Sequence, residues 1–286
     1  LDLPVGRDVK TIDPANGDFA TIAAAVEYLN GLAELPDGGI QFNITSGLTF
    51  NEAVPAITAS GTEDKPIIFQ SSEAETPATL EPVGTDATND FGIHLNGADF
   101  VSFDGLNIVG DATVEYGYYI TNELGVANNG AKDNTIKNAS IDMDKSNEGS
   151  WSIYYKVMEA AESLAGANCR NHYINNSIMD AYYGIHVEGN DFSLEEFEDE
   201  DNLVADNHIS DIAGGSARSI GIELVSQHNL EVVGNEIANV STTGRFIGIY
   251  LEERTIGVRA HHNKIHDIVN ADSYLLGFRG WEPVGS

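Results

Sequence analysis

Two short segments, Asn207-His-Ile-Ser-Asp211 and Gly221-Ile-Glu-Leu224, show a pattern that recurs through the second half of the chain. The first has the form Asn-x-Ile-x-Asp/Asn, and successive copies begin 31, 28 and 28 residues apart. A repeat of this length, rich in β-branched residues, is typical of one coil of a β-helix rather than of helical or leucine-rich repeats. The copies are Asn176-Ser-Ile-Met-Asp180, Asn207-His-Ile-Ser-Asp211, Asn235-Glu-Ile-Ala-Asn239 and Asn263-Lys-Ile-His-Asp267.

The second segment has the form Gly-Ile-x-hydrophobic. Because successive side chains of a strand face opposite sides, the Ile and the last residue are expected inside and the middle residue outside. This predicts one stacked core, formed by Ile185, Val187, Ile222, Leu224, Ile249 and Leu251, and about seven coils in all. The copies are Gly92-Ile-His-Leu95, Gly117-Tyr-Tyr-Ile120, Ser152-Ile-Tyr-Tyr155, Gly184-Ile-His-Val187, Gly221-Ile-Glu-Leu224, Gly248-Ile-Tyr-Leu251 and a looser Gly277-Phe-Arg279.

The repeated asparagines are expected at the turns between strands. Asn tolerates a left-handed backbone and can hydrogen-bond the Asn of the next coil, so we predict an internal asparagine ladder, with isolated Asn turns as the alternative. In both cases the role is structural. The residues are Asn176, Asn207, Asn235 and Asn263.

The N-terminal part predicts a short helix that covers the open end of the coils. Asp18 is the expected N-cap of an amphipathic stretch from Phe19 to Leu29, and strands are expected from Ile40 to Thr45 and from Pro66 to Gln70. The predicted fold is therefore all-β: a right-handed parallel β-helix, or solenoid, with a short N-terminal capping α-helix. It forms one domain, 1–286, with the N-terminal strand and cap helix in 1–36 and the coils in 37–286, and we expect it to be a segment of a larger protein.

The composition limits the range of functions. Asp and Glu number 45 against 14 Lys and Arg, which gives a formal net charge of −31. Most of the surface should therefore repel nucleic acids and anionic membranes. No apolar run is long enough to cross a bilayer, so membrane insertion is not expected. The acidic balance suits a secreted or cell-surface protein in salty, calcium-containing medium. Cys169, the single cysteine, is expected to be a small buried hydrophobe.

Three runs resemble known β-helical proteins. Asn16-Gly-Asp-Phe-Ala-Thr-Ile-Ala-Ala-Ala-Val26 resembles the N-terminal cap of pectin methylesterases. Ser60-Gly-Thr-Glu-Asp-Lys-Pro-Ile-Ile-Phe69 and Asp99-Phe-Val-Ser-Phe-Asp-Gly-Leu106 resemble the opening coils of chondroitinase-B-like polysaccharide lyases. Together with the repeats, the resemblance implies the pectate-lyase-like superfamily. It implies a scaffold and leaves the chemistry open.

The catalytic motifs that this resemblance implies do not match this sequence. The Gln, two Asp and Arg of pectin methylesterases have no counterpart here, few of the 14 basic residues that a lyase could use fall on the repeated strands, and the Gly-His-Gly of polygalacturonase-like hydrolases is absent. The chain also looks like the repeat-rich surface proteins of Bacteroidetes that share this scaffold.

The middle residues of the Gly-Ile-x-hydrophobic strands should form a column, because successive coils stack in register. Aromatic rings beside carboxylates and imidazoles suit a sugar-binding groove, although stacked aromatic residues also stabilise an ordinary sheet. The candidate ligand-binding residues are His94, Tyr119, Tyr154, Lys156, His186, Glu223, Tyr250 and Arg279. The residues two places later, Asn96, Thr121, Lys156, Glu188 and Glu252, should flank the column.

Within this column, Glu188, Glu223 and Glu252 with His186 are the candidates for an acid and base pair. Glycosidase carboxylates lie about 5 to 9.5 Å apart, and neighbouring coils could supply that separation. Asp142 and Asp144 are a candidate calcium pair in a run that is not an EF-hand; a solvated turn is the alternative. Calcium is the one cofactor suggested. The run Asp191 to Asp201 is expected to be an acidic loop, partly docked through Phe192 and Phe197.

These observations favour a non-catalytic extracellular β-helix that binds polysaccharide or a cell-surface glycan, or that contributes to an adhesin-like surface protein. A carbohydrate-active enzyme, hydrolase or lyase, is the first alternative. The second is a structural protomer that stacks end to end into fibres, since repeat arrays require capped ends. Self-association or a C-terminal domain is the expected contact of the last coil, where Arg279 lies.

Overall fold

The computed structural model describes residues 6–85, 90–190, 199–252, 254–270 and 275–280. These residues form a right-handed parallel β-helix of about eight turns, which confirms the predicted class and adds one turn to the seven coils expected. The additional turn lies near the N-terminus, where the strands from Asp8–Ile12 and Ile40–Ile44 lack the repeated motifs.

Three long parallel sheets run along the axis of the described solenoid. Sheet 1 consists of Asp8–Ile12, Ile40–Ile44, Ile67–Ser71, Val101–Asp104, Thr135–Lys137, His172–Ile174, Leu203–Ala205, Glu231–Val233 and Arg259–His261. Sheet 2 consists of Thr49–Glu52, Ala78–Pro82, Leu106–Val109, Ser140–Asp142, Ser177–Met179, His208–Ser210, Glu236–Ala238 and Lys264–Ile265. Sheet 3 consists of Phe91–Asn96, Tyr116–Thr121, Trp151–Lys156, Tyr183–Glu188, Ser219–Val225, Phe246–Leu251 and Leu275–Gly280. Two short pairs of parallel strands complete the described solenoid: Asp199–Glu200 with Gln227–His228, and Val240–Thr242 with Ile268–Asn270.

The core is a set of side-chain stacks, each of which runs from coil to coil. In sheet 1, Phe42, Phe69 and Phe103 are fully buried, and their ring centroids lie 4.6 and 4.9 Å apart in nearly parallel planes. The six predicted core residues also point inward: five are fully buried or nearly so, and Leu251 packs against the core while partly exposed. The parallel pairing explains this order, since it places equivalent residues of successive coils above one another.

The repeated glycine of sheet 3 is required by close packing between coils. A Cβ atom on Gly221 would lie 2.6 Å from the carbonyl oxygen of Gly248 and 2.8 Å from Cδ1 of Ile237 in sheet 2. At Gly184 the distance to the carbonyl oxygen of Gly221 would be 2.2 Å. Larger residues would therefore push adjacent coils or adjacent sheets apart.

The predicted asparagine ladder is present. The amide nitrogens of Asn176, Asn207 and Asn235 donate to the amide oxygens of the next asparagines at 3.0, 2.9 and 3.0 Å, ending at Asn263. The expectation that these asparagines themselves adopt a left-handed backbone was wrong. The left-handed conformation belongs to the residue before each of them and to the last residue of the motif, such as Asp180 with φ 51°. The ladder asparagines face inward instead, because they bond backbone groups of adjacent coils.

A second series of buried asparagines was not predicted. The side-chain oxygens of Asn134, Asn171 and Asn202 accept from the backbone nitrogens of Val101, Asn134 and Asn171 at 2.9, 3.1 and 2.7 Å. These residues lie immediately before or near the sheet 1 strands. Each buried amide satisfies turn backbone that water cannot reach.

The N-terminal helix spans Ile22–Asn30 and buries Ile22, Ala25, Val26 and Leu29 against the core, as predicted. Its N-cap is Thr21, whose hydroxyl accepts from the backbone nitrogen of Ala24 at 3.0 Å, so the prediction of Asp18 was wrong. The Asp18 carboxylate instead accepts from the backbone nitrogen and hydroxyl of Thr11.

Candidate functional site

The candidate site lies on the outer face of sheet 3, where the predicted column is in register. Strand pairing aligns its residues one above another along seven coils. In order they are His94, Tyr119, Tyr154, His186, Glu223, Tyr250 and Arg279. The register follows from the small residue of each strand, which is a glycine in six strands and Ser152 in the third and which occupies one position in the stack of coils.

These outward side chains are less exposed than an open sheet would leave them. Tyr119, His186, Glu223 and Tyr250 are only 5%, 6%, 4% and 3% exposed. A second row of aromatic side chains accounts for part of this burial. It lies three residues earlier on the first four strands of sheet 3 and consists of Phe91, Tyr116, Trp151 and Tyr183.

The sequence contained a signal for this second row that the prediction missed. An aromatic residue directly precedes the repeated small residue in Phe91-Gly92, Tyr116-Gly117, Trp151-Ser152 and Tyr183-Gly184. Strict alternation would place that aromatic residue inside. The small residue instead faces Ile side chains of sheet 2, so the ring before it lies outside.

The two rows form one continuous aromatic surface, which we call the aromatic strip: Phe91, His94, Tyr116, Tyr119, Trp151, Tyr154, Tyr183 and His186. Ring centroids of Tyr116 and Tyr154 are 4.7 Å apart, those of Tyr154 and His186 4.6 Å, and those of Trp151 and Tyr183 4.1 Å, all in stacked geometry. Offset stacking at these separations is favourable.

Burial keeps the N-terminal half of the strip uncharged. It lowers the pKa of His94 to about 4, and it raises the pKa of Tyr119 to about 12 with a contribution from Tyr116. The Nε2 atom of His94 lies 2.8 Å from the hydroxyl oxygen of Thr121. At neutral pH this half therefore offers ring faces and hydroxyl groups.

The C-terminal half of the column holds a charged network around His186. Its Nδ1 atom is 2.9 Å from Oε2 of Glu223, and its Nε2 atom is 2.9 Å from Oε2 of Glu188. The second carboxylate oxygens bind cations: Oε1 of Glu188 is 3.1 Å from Nζ of Lys156, and Oε1 of Glu223 is 3.3 Å from Nη2 of Arg218. All four carboxylate oxygens therefore have a partner.

This arrangement favours a protonated imidazole between two carboxylates. Burial by itself lowers the pKa of His186, but the hydrogen bonds and charges of Glu188 and Glu223 outweigh it and raise the pKa. Burial likewise raises the pKa of Glu188, but His186 and Lys156 outweigh it and lower the pKa. With both carboxylates ionised, the five charged groups sum to +1.

The remaining candidates lie next to this network without joining it. The hydroxyl of Tyr250 donates to Oε1 of Glu252 at 3.1 Å, so Glu252 contacts the tyrosine rather than His186. The guanidinium carbons of Arg218 and Arg279 lie 5.7 and 5.1 Å from the centroid of the Tyr250 ring. Both distances are within the range of cation–π attraction.

The proposed calcium pair lies on another part of the surface. Asp142 ends a strand of sheet 2, and burial together with the charge of Asp180 raises its pKa, although Lys145 opposes them. The carboxylate of Asp144 accepts from the backbone nitrogen of Ser146 at 2.8 Å. Nowhere in the described ranges do three or more His, Cys, Asp or Glu side chains lie in a group that could hold a metal ion.

Other predicted features are found in part. Cys169 is buried, as expected. The acidic run from Asp191 to Asp201 falls mainly outside the described residues, and so do Phe192 and Phe197. Across the described chain, no helix has the length and apolar character needed to span a membrane.

Comparison with known proteins supports the fold. No protein-family model matches the chain, and no curated protein matches its sequence. Among solved structures, an alginate lyase from Paenibacillus sp. aligns with a TM-score of 0.50 and 14% identity over 92% of this chain and 97% of that one. A rhamnogalacturonan lyase aligns with a TM-score of 0.52 and 11% identity, over 95% and 84%. The chain thus has the parallel β-helix of the pectate-lyase-like fold.

Proposed function

We propose that this β-helix binds polysaccharide on the outer face of sheet 3 without cleaving it, as part of an extracellular or cell-surface protein. The aromatic strip is the observation that carries the proposal. The flat apolar face of a pyranose packs on aromatic rings while its hydroxyl groups bond polar neighbours. Half-buried Trp151 and Tyr154 offer such rings beside Lys156. The two similar structures are lyases named for polysaccharides, which supports a carbohydrate ligand.

The charged network supports binding rather than catalysis. A glycosidase acid must give its proton to the substrate, and its base must activate water. Here both nitrogens of His186 and all four oxygens of Glu188 and Glu223 bond one another or Lys156 and Arg218. The Glu223 side chain is only 6% exposed. A network of this kind fixes three neighbouring strands and positions Lys156 and Arg218 at the surface.

The N-terminal end argues against fibres built by stacking in both directions. The helix Ile22–Asn30 covers that end. The outermost strand of the described residues places Asp8 and Lys10 at core-facing positions, where they pair at 3.1 Å. Inward-pointing charges on an edge strand oppose the addition of another strand. We therefore assign the contact with a further domain or a partner to the other end of the solenoid, near Arg279, as in an adhesin-like protein.

The test is binding and product analysis with a panel of acidic and neutral polysaccharides, with and without calcium. We expect weak saturable binding, because an open face leaves much of the ligand in water, and no new oligosaccharides. Trp151→Ala should remove most of the affinity. Tyr28→Ala, which removes an exposed ring on the helix, is the control. Tyr250 is a poorer probe because it is only 3% exposed, so its loss would also affect stability.

Glu223→Gln separates the binder from the enzyme. Gln retains the shape and an acceptor but cannot act as an acid or a base, so a binder should lose little affinity. Release of oligosaccharides by the wild-type protein that disappears in Glu223→Gln would replace the proposal with a carbohydrate-active enzyme. Unchanged affinity in Trp151→Ala would remove the aromatic strip from the site.

A further inference from the structure

A groove on the opposite side of the solenoid from the aromatic strip has the features of a separate ligand site. It lies at the corner between sheets 1 and 2, where two cavities of about 230 and 530 Å³ share Ala74 and Asn138. We call it the corner groove. One wall is the segment that leaves sheet 1 after Ser71 and includes Ala74 and Pro77.

The floor of the corner groove consists of hydrogen-bonding side chains in register. Asn107, Ser140 and Ser177 occupy equivalent outward positions on three successive strands of sheet 2, one coil apart. Beside them lie the exposed corner residues Asn138 and Asn175, which have left-handed backbones and are joined by an amide hydrogen bond of 2.7 Å.

Several of these groups still have bonding capacity. Within the described chain, the hydroxyls of Ser140 and Ser177, the amide nitrogen of Asn107 and the amide oxygen of Asn175 have no protein partner. They form two rows along the solenoid axis and repeat with each coil, about 4.8 Å apart. A ligand that fits them must therefore be extended and present donors and acceptors at regular intervals.

The residues that line the groove are nearly all uncharged, although the protein is strongly acidic; Glu73 and Glu75 of the wall segment are exposed and line neither cavity. Asp104 is the one charged residue that lines either cavity, and its carboxylate pairs with Lys137 at 3.0 Å and accepts from Asn138 at 2.6 Å. A charged ligand would gain no free countercharge here. Hydroxyl and amide groups next to the apolar Pro77 are instead suited to a neutral sugar ring, which has polar edges and an apolar face.

We infer that the corner groove binds a neutral, hydroxyl-rich glycan chain that runs along the solenoid axis, independently of the aromatic strip. The two sites then differ in ligand chemistry: the strip places Lys156 and Arg218 beside its rings, whereas the groove offers uncharged groups. A protein with both could hold two glycan chains on opposite sides.

The experiment measures binding of two linear probes, a neutral glucose hexasaccharide and a galacturonic acid hexasaccharide. Ser140→Ala/Ser177→Ala should lower affinity for the neutral probe about tenfold, since two hydrogen bonds are lost, and leave the melting temperature unchanged. The matched control is Ser102→Ala/Thr135→Ala, which removes two hydroxyls from the outer face of sheet 1.

The two sites are separated by repeating the measurement in Trp151→Ala, where the neutral probe should bind the corner groove as before. The inference is overturned if the neutral probe does not saturate the protein, or if the Ser140/Ser177 variant binds it like wild type. It is also overturned if that variant weakens only the galacturonic acid probe. None of these outcomes changes the result of Trp151→Ala on strip binding, so failure here is distinct from failure of the proposed function.

Discussion

His186 and Glu223 lie in register on neighbouring strands of sheet 3, with Nδ1 of the imidazole 2.9 Å from the carboxylate oxygen Oε2. The contact is on the outer face, yet the two residues are only 6% and 4% exposed. Because Glu188 binds the other ring nitrogen, the histidine links its own strand to the next coil. This contact between a histidine and a carboxylate is thus part of what holds neighbouring coils together.

The first prediction concerns pH. The pKa of His186 is raised above its usual 6.5, so the stability that its proton contributes is present in full below pH 6.5 and is lost as the pH rises through the folded pKa. The wild-type free energy of unfolding should decline above pH 6.5, by at most about 1.4 kcal/mol per pH unit for one proton. His186→Gln should flatten this decline.

Glu188 sets the acid side of the same window. Its pKa is lowered from 4.5, so the stability that its ionised form contributes is present above pH 4.5 and is lost as the pH falls through the folded pKa.

The control for His186→Gln is His266→Gln. His266 is an exposed histidine, and hydrogen bonds to Glu236 and Asp267 also raise its pKa. Urea unfolding between pH 2 and 9 measures both effects. A His186→Gln profile parallel to that of wild type would contradict the assignment.

The second prediction concerns the asparagine ladder. Asn207→Ala removes bonds to Asn176, Asn235 and the carbonyl oxygen of Tyr173 and leaves buried partners unsatisfied. We expect a loss of about 2–4 kcal/mol in the free energy of unfolding. Asn263→Ala, at the half-buried end of the ladder, should cost less. Urea unfolding measures both losses. Equal losses of unfolding free energy at the two positions would show that burial of the ladder bonds does not set their contribution to stability.

The third prediction concerns the repeated glycine. Gly221→Ala places a methyl group 2.6 Å from a carbonyl oxygen of the next coil, and overpacking of this kind costs about 1–3 kcal/mol. Gly31→Ala is the control, because its nearest contact is 3.4 Å and its φ is −85°. Thermal unfolding of the two variants should therefore differ. A Gly221 variant as stable as the control would mean that adjacent coils can separate without cost.

The fourth prediction concerns calcium. Burial, and after it the charge of Asp180, raises the pKa of Asp142, so a divalent cation that paired with this carboxylate would favour its ionised form. We propose that calcium raises the melting temperature and that Asp142→Asn/Asp144→Asn weakens this effect. Asp111→Asn/Asp13→Asn, at two separate turns, controls for lost net charge. If calcium raises the melting temperature of Asp142→Asn/Asp144→Asn as much as that of the wild-type protein, the two aspartates belong to a solvated turn and not to a calcium site.

The sequence by itself determined the fold and the register of sheet 3. Gly-Ile-x-hydrophobic strands can stack in one way only, because the glycine must meet the next coil and the alternating hydrophobic residues must face the core. His94, His186 and Glu223 could therefore be placed in one column from spacing alone. The ladder asparagines were predictable for the same reason, since equivalent residues of successive coils lie above one another.

Tertiary structure decided what those residues contact. Strict alternation could not place Trp151 outside, because that position depends on the complete burial of Ser152, the residue that follows it. Nor could spacing show that Lys156 pairs with Glu188 and Arg218 with Glu223. Arg218 lies before the strand Ser219–Val225, outside the repeated pattern. The corner groove joins Ala74 to Ser177 across several coils. Contacts between residues so distant in sequence depend on side-chain directions and loop paths, which only packing of the whole solenoid fixes.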